Sequence, residues 1–118
     1  MDWLAAQPET ELFLSVLTLG ELQKGVARLP PTSKRHQIGT WLHQDLRNRF
    51  AERILNITDS IAIAWGNLQA EAEKKGRRLP TLDSLIAATA ITHQLTVVTR
   101  NTTDMTAAGV KIFDPWGV

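Results

Sequence analysis

Three carboxylates and one amide occupy positions in the sequence from which they could bind a metal ion. Glu21 follows the first apolar strand-like run, and Asp83 stands in the first turn of an apolar helical segment. Asn101 and Asp104 come directly after a short β-branched run. Oxygen ligands without His or Cys suit Mg²⁺ or Mn²⁺. Such carboxylate-bound ions activate water and stabilise the leaving oxygen in phosphodiester cleavage, which is the chemistry that this set of residues predicts.

Each of these residues also has an ordinary structural interpretation. Glu21 lies three residues after Thr18, and the pair fits a capping box in which Glu accepts from the backbone N–H of Thr18. Asp83 in a first helical turn would interact favourably with the helix dipole. Asn101 and Asp104 are typical of Asx turns. Singly, each is more often structural than catalytic, and it is their joint placement at strand ends and at a helix start that favours a ligand site.

A basic cluster precedes the segment that contains Asp83. It consists of Lys74, Lys75, Arg77 and Arg78. Such clusters are commonly solvated helix ends, but this one is close enough to Asp83 in sequence to contact phosphates of a nucleic acid. Arg100 is a further candidate for such a contact. The net charge of the chain is only +1, so any nucleic-acid binding must depend on this local placement of charge.

Short apolar runs alternate with helical segments along the chain. Strands are predicted near residues 11–16, 53–57, 96–99 and 110–113. Helices are predicted near residues 1–6, 18–29, 33–50, 59–75 and 81–93. This alternation predicts an α/β fold with a mainly parallel sheet flanked by helices.

The helical segments differ in how their apolar residues are arranged. In the third helix a single stripe is predicted to face inward; it consists of Ile38, Trp41, Leu42, Leu46 and Phe50. From Leu85 to Ile91 apolar or small residues lie on nearly every face, which predicts a buried helix. Gly76 is predicted at the position after the C-terminus of the fourth helix.

Length and composition indicate one domain, residues 1–118, with an ordinary soluble core. The apolar fraction is 43% and the charged fraction is 21%. The absence of cysteine excludes a disulfide framework and a thiolate metal site. No apolar run is long enough to span a membrane, and the N-terminus lacks the basic region of a signal peptide, so a cytoplasmic protein is predicted.

Four segments together resemble the PIN-domain family, and within it the VapC-type toxins and FitB-like proteins. Residues 15–25 resemble the family's strand followed by an E-L-x-x-G helix. Residues 79–90 resemble the stretch around the Asp of the second half, with its I-A-A-T-A run. Residues 98–104 resemble the T-R-N-x-x-D segment, and residues 112–116 the usual ending. The resemblance extends over nearly the whole chain.

The resemblance implies a PIN-like α/β fold and a metal-dependent endoribonuclease that hydrolyses RNA with Mg²⁺ or Mn²⁺. Proteins of this kind are often toxins that a cognate antitoxin protein neutralises, and a homodimer is expected. Glu21, Asp83 and Asp104 would be the metal-site acids, with Asp83 a direct ligand and Asn101 a polar neighbour.

The start of the sequence departs from the family pattern. The family begins with a short apolar strand that ends in Asp, usually D-T-N, whereas Asp2 is followed by Trp3 and Leu4 in a predicted helix. We therefore expect that the first strand, with its metal-binding Asp, is missing, and that this form is a weak or inactive nuclease. The sheet would then be rearranged, completed by a partner, or left with a gap.

Two other functions stay open at this point. One is a catalytically inactive PIN-like module that binds an antitoxin or another protomer. The other is an unrelated α/β ligand-binding domain, which would require Glu21, Asp83 and Asp104 to lie far apart.

Overall fold

In the part of the chain that the structure describes, four short strands alternate with helices, and each strand pairs in parallel with one neighbour. The computed structural model describes residues 12–99 and 102–114. The strands are β1 (Leu14–Ser15), β2 (Ile54–Leu55), β3 (Val97–Val98) and β4 (Ile112–Phe113). β1 pairs with β2, and β3 pairs with β4. The α/β class, the parallel pairing and the four strand positions predicted from the sequence are confirmed, although each strand is shorter than predicted.

Helices make up most of the described chain. They are α1 (Val16–Ala27), α2 (Ser33–Thr40), a π-helical segment (Trp41–Leu46), α3 (Arg47–Arg49), α4 (Asp59–Lys74), α5 (Thr81–Thr92) and α6 (Thr102–Ala107). Within the described ranges, none of them combines the length and apolarity needed to cross a lipid bilayer.

The chain divides into two compact units, Met1–Asn56 and Ile57–Val118. Among the described residues, the first unit contains the β1–β2 sheet and the second contains the β3–β4 sheet. The predicted single domain and the predicted absence of a family strand stay predictions. The helix predicted near residues 1–6 lies outside the described residues.

The start of α1 corrects the predicted capping box. Ser15 is the N-cap, and its hydroxyl accepts a hydrogen bond from the backbone N–H of Leu17 at 3.1 Å. Thr18 and Glu21 therefore lie inside the helix. The helix begins directly where the pairing of Ser15 with Leu55 ends, so the sheet fixes the position of the cap.

The π-helical segment corrects the predicted apolar stripe. Leu42 is buried, with 2% of its surface exposed, whereas Trp41 is 45% exposed. A π-helix has more residues per turn than an α-helix, so the side chains that follow its start are rotated from their expected directions. The stripe drawn at α-helical spacing is therefore wrong at Trp41.

The core of the second unit is formed by small and medium apolar side chains. α4 and α5 pack against each other, and α5 also packs against α6. The buried members of the core cluster are Ala72, Leu79, Ala87, Ala90, Met105, Ala108 and Val110. The prediction that α5 is a buried helix is confirmed for residues 87–90, whereas Ile91 at the end of the predicted segment is 42% exposed.

Two helices of this unit end in the same left-handed motif. After α4, Gly76 has a φ of +71°, and the N–H of Arg77 donates to the carbonyl of Ala72 at 2.8 Å. After α5, Gln94 has a φ of +57°, and the N–H of Leu95 donates to the carbonyl of Ala90 at 2.8 Å. Both are Schellman ends, and the predicted role of Gly76 is confirmed.

The two ends predict opposite effects of exchanging glycine and glutamine. Left-handed backbone costs a residue with a Cβ about 1 kcal/mol or more, and it costs glycine little. We expect Gln94→Gly to raise the free energy of unfolding by somewhat under ~1 kcal/mol, and Gly76→Gln to lower it by ~1 kcal/mol. Urea denaturation followed by circular dichroism measures both. A loss of stability in Gln94→Gly would contradict the assignment of this helix end.

Candidate functional site

Asp83 lies at the third position of α5, and its side chain is half-buried. The residue before the helix is Pro80, which makes no side-chain capping bond. The backbone N–H groups of the first helical turn point toward the helix N-terminus and favour negative charge there. The carboxylate thus lies at the end of a buried helix where negative charge is favoured.

A buried hydroxyl directly follows Asp83. The side chain of Ser84 has 1% of its surface exposed, and it accepts hydrogen bonds from two residues of α4. Trp65 Nε1 donates at 2.9 Å, and Gln69 Nε2 donates at 2.7 Å. These bonds join the middle of α4 to the first turn of α5.

The same hydroxyl also bonds to the backbone at the start of α5. Ser84 Oγ lies 2.7 Å from the carbonyl oxygen of Pro80 and 2.9 Å from that of Thr81. Gln69 Nε2 lies 3.3 Å from the carbonyl oxygen of Leu79. A serine hydroxyl has one proton and two lone pairs, so two incoming donors and one shared outgoing proton use all of its bonding capacity.

Glu21 is the sixth residue of α1, and its side chain is exposed. Because Ser15 caps the helix, the structural explanation that the sequence offered for Glu21 is removed. Glu21 belongs to the first compact unit, whereas Asp83 belongs to the second. Its predicted role as a metal ligand stays a prediction.

Asp104 lies within α6, which packs against the helix that carries Asp83. The structure thus brings the backbone elements of these two acids together in the second unit. The side chain of Asp104 is outside the described part of the structure. Asn101 and Arg100 are outside it as well, so their predicted roles are not tested.

The basic cluster is exposed as a group. Lys74 pairs with Glu71 at 3.5 Å across one helical turn, which is a solvated surface pair. Arg77 and Arg78 line a shallow surface depression that extends to Thr81 at the start of α5. Their charges therefore lie six and five residues before Asp83 in the sequence.

The types of donor suit Mg²⁺ or Mn²⁺. The acids offer hard carboxylate oxygens, of which that of Asp83 is held at a fixed helix start. Among the side chains described in residues 12–99 and 102–114, no three His, Asp or Glu residues form a group that could hold an ion. Within the second unit, Asp104 is the other acid that the sequence analysis assigned to a site with Asp83, and that assignment stays a prediction.

A family comparison matches almost the whole chain. The model of the PIN domain matches residues 1–109. The chain belongs to the PIN domain family. The resemblance read from the sequence segments is therefore confirmed.

Two curated relatives of this PIN domain are a toxin and a VapC ribonuclease. Toxin FitB of Neisseria gonorrhoeae is 36% identical over 114 residues, which cover 97% of this chain and 82% of FitB. VapC ribonuclease Y4jK of Sinorhizobium fredii is 33% identical over 116 residues, which cover 98% of this chain and 83% of that protein.

Solved structures confirm the PIN fold. FitAcB from Neisseria gonorrhoeae superposes with a TM-score of 0.94 at 35% identity, covering 99% of this chain and 84% of that chain. VapBC-5 from Mycobacterium tuberculosis, a member of the VapBC family of toxin–antitoxin systems, superposes with a TM-score of 0.67 at 31% identity; the match covers 86% of this chain and 79% of that chain.

Sequence reasoning missed the polar network beside Asp83. The sequence predicts apolar or small residues on nearly every face of α5 from Leu85 to Ile91, and it assigns no role to Ser84, which lies one residue earlier. A signal was present in α4, where Trp65 and Gln69 lie four residues apart on one helical face. Two half-buried N–H donors at that spacing favour an acceptor on the helix they face.

Proposed function

We propose that this PIN domain is a Mg²⁺- or Mn²⁺-dependent endoribonuclease of a toxin–antitoxin system. The observation that carries the proposal is the half-buried Asp83 at the start of α5 in a chain whose full-length match includes a VapC ribonuclease. An exposed first-turn acid would need no further explanation. A carboxylate held at the mouth of a buried helix, beside a cationic surface, is suited to bind a divalent ion and a phosphate together.

Asp83 is assigned as a direct ligand of the ion, and Asp104 and Glu21 as acids that hold or orient the ion and its water. Asn101 is assigned as a polar neighbour. When bound, the ion would act as a Lewis acid toward the phosphate and lower the pKa of a bound water. The chain contributes the fixed carboxylate position, and the charges of Arg77 and Arg78 attract the RNA backbone.

The direct test is cleavage of RNA by the purified chain. A fluorescent RNA mixture incubated with Mn²⁺ or Mg²⁺ is expected to be cut, if only weakly, and EDTA should stop the reaction. Ca²⁺, which prefers larger and more flexible sites, serves as the control ion. Absence of cleavage with either ion would refute the proposed ribonuclease activity and would favour the catalytically inactive interaction module instead.

The exposed arginines predict how RNA affinity depends on salt. Arg77→Ala/Arg78→Ala is expected to weaken RNA binding for all sequences alike and to reduce the slope of log affinity against log salt by about one to two units. Fluorescence anisotropy at several salt concentrations measures this slope. Lys34→Ala/Arg47→Ala, which removes two exposed charges of the first unit, is the control. An equal loss in both variants would show that only total charge matters.

The proposed partners are an antitoxin protein and a second copy of the chain. The support is the likeness to VapBC-5, a member of a toxin–antitoxin family, and the match to FitAcB. Co-expression with the neighbouring gene product should give a complex that co-elutes on size exclusion. Light scattering should give twice the mass of one chain for the free protein. A monomer that does not bind the neighbouring product would contradict both assignments.

A further inference from the structure

The hydroxyl of Ser84 links two helices at the point where the proposed metal ligand lies. It is buried, and it receives N–H donors from Trp65 and Gln69 of α4. It also bonds to the carbonyl oxygens of Pro80 and Thr81. Pro80 precedes α5 and Thr81 is its first residue, so the bonds connect Ser84 to the backbone at the start of the first turn.

The start of α5 has no side-chain cap, and Ser84 holds it through backbone carbonyl groups instead. Pro80 has no side-chain group that could cap the helix, and the first turn is where helices fray. In α4 the corresponding position is held by Thr58, whose hydroxyl accepts from the N–H of Ile61 at 3.3 Å. In α5 the contacts that hold the first turn come from a neighbouring helix instead.

We infer that Trp65, Gln69 and Ser84 are positioning residues for Asp83. The inference rests on the proposed function, because it concerns the metal ligand assigned there. Ser84 is joined to Asp83 by one peptide bond, and its hydroxyl has no spare bonding capacity to touch a substrate. Its effect on the site must therefore act through the placement of the Asp83 backbone and carboxylate.

The expected magnitude follows from how groups behind a metal ligand act elsewhere. Loss of a hydrogen bond that orients a ligand typically weakens metal affinity by 10–100-fold. Ser84→Ala removes the only side-chain acceptor shown for Trp65 Nε1 among the described residues. We expect about a tenfold weaker affinity for Mn²⁺ in this variant, measured by electron paramagnetic resonance of free Mn²⁺.

A matched control separates positioning from general stability. Thr89 lies on the same helix, is 3% exposed, and its hydroxyl donates to the carbonyl oxygen of Leu85 at 2.8 Å. Thr89→Val also removes a buried hydroxyl from α5, but more than one turn away from Asp83. Its affinity for Mn²⁺ should stay within about twofold of the parent chain, since it orients no ligand. Circular dichroism at the titration temperature confirms that each variant is folded.

Trp65→Phe provides a second approach from the opposite helix. It removes one donor and keeps an aromatic ring, so it should weaken Mn²⁺ binding less than Ser84→Ala. The double variant Trp65→Phe/Ser84→Ala should be no weaker than Ser84→Ala alone, because both changes break the same bond. If the losses of Mn²⁺ affinity added up in the double variant, Trp65 and Ser84 would act independently, which would contradict the inference.

The outcomes distinguish this inference from the proposed function. If Asp83→Asn abolishes Mn²⁺ binding while Ser84→Ala matches Thr89→Val, the metal site stands and the positioning role is overturned. If Asp83→Asn leaves Mn²⁺ affinity unchanged, or the parent chain binds no Mn²⁺, the proposed function itself is overturned. A selective loss in Ser84→Ala supports both.

Discussion

Replacement of Asp83 by asparagine is expected to reduce RNA cleavage by about 100-fold or more, since groups one step behind a metal ligand already cost 10–100-fold. The substitution keeps the size and shape of the side chain and removes its charge. A divalent ion held by hard oxygens loses a principal source of attraction when one carboxylate becomes an amide. Initial rates on a fluorescent RNA in Mn²⁺ measure the effect.

The matched control for this variant is Asp59→Asn. Asp59 lies in the first turn of α4, as Asp83 does in α5, so both acids interact with a helix dipole. Asp59 is exposed, and nothing assigns it to the site. Asp59→Asn should therefore cost a few tenths of a kcal/mol in stability and leave cleavage unchanged. Equal losses of activity in both variants would show that Asp83 acts only as a structural acid in the first turn of its helix.

The largest effect on stability is expected for Ile61→Ala. Ile61 is fully buried near the start of α4. Truncating a buried isoleucine removes its transfer free energy and leaves a cavity, which together cost ~2–5 kcal/mol. The midpoint of urea denaturation should fall accordingly, and it should be measured in the same way for a control variant on the same helix.

Ile63→Ala is that control, on the same helix and two residues later. Ile63 is 66% exposed, so most of its side chain remains in water when the protein folds. The expected change is within ~0.5 kcal/mol. A similar loss of stability in the two variants would contradict the orientation of α4, and with it the direction in which Trp65 and Gln69 face α5.

The strands and the buried helix could be predicted from the sequence because their patterns are local. The β-branched run before Thr99 and the run of small residues in α5 each indicate burial without reference to the rest of the chain. Gly76 was predictable for the same reason, since a left-handed helix end has a residue preference.

The start of α1 could not be predicted from local pattern alone. Ser15 and Thr18 are both good N-cap residues, and Glu21 completes a capping box only with Thr18. The choice depends on where β1 stops pairing with β2, which is a contact with residues about 40 positions away. The burial pattern of the π-helical segment could not be predicted either, since no residue preference indicates that Leu42 is buried and Trp41 is exposed.

The network at Ser84 shows the same limit within the candidate site. Its donors lie 19 and 15 residues before the acceptor, so only the packing of α4 on α5 brings them together. Asp83 itself could be proposed from sequence, because it stands in the first turn of a segment that is apolar on nearly every face, and its role as a metal ligand stays a prediction. The hydrogen bonds that hold the start of α5 in place form only in the tertiary structure.

Anomalous scattering of manganese, in crystals of this chain grown with Mn²⁺, locates the ion directly. We expect a peak at a coordination distance of about 2.1–2.2 Å from a carboxylate oxygen of Asp83, as expected for an ion of nearly the size of Mg²⁺. The peak should vanish in Asp83→Asn crystals and persist in Asp59→Asn crystals. A manganese peak bound elsewhere, or none at millimolar Mn²⁺, would contradict the assignment of Asp83 as a metal ligand.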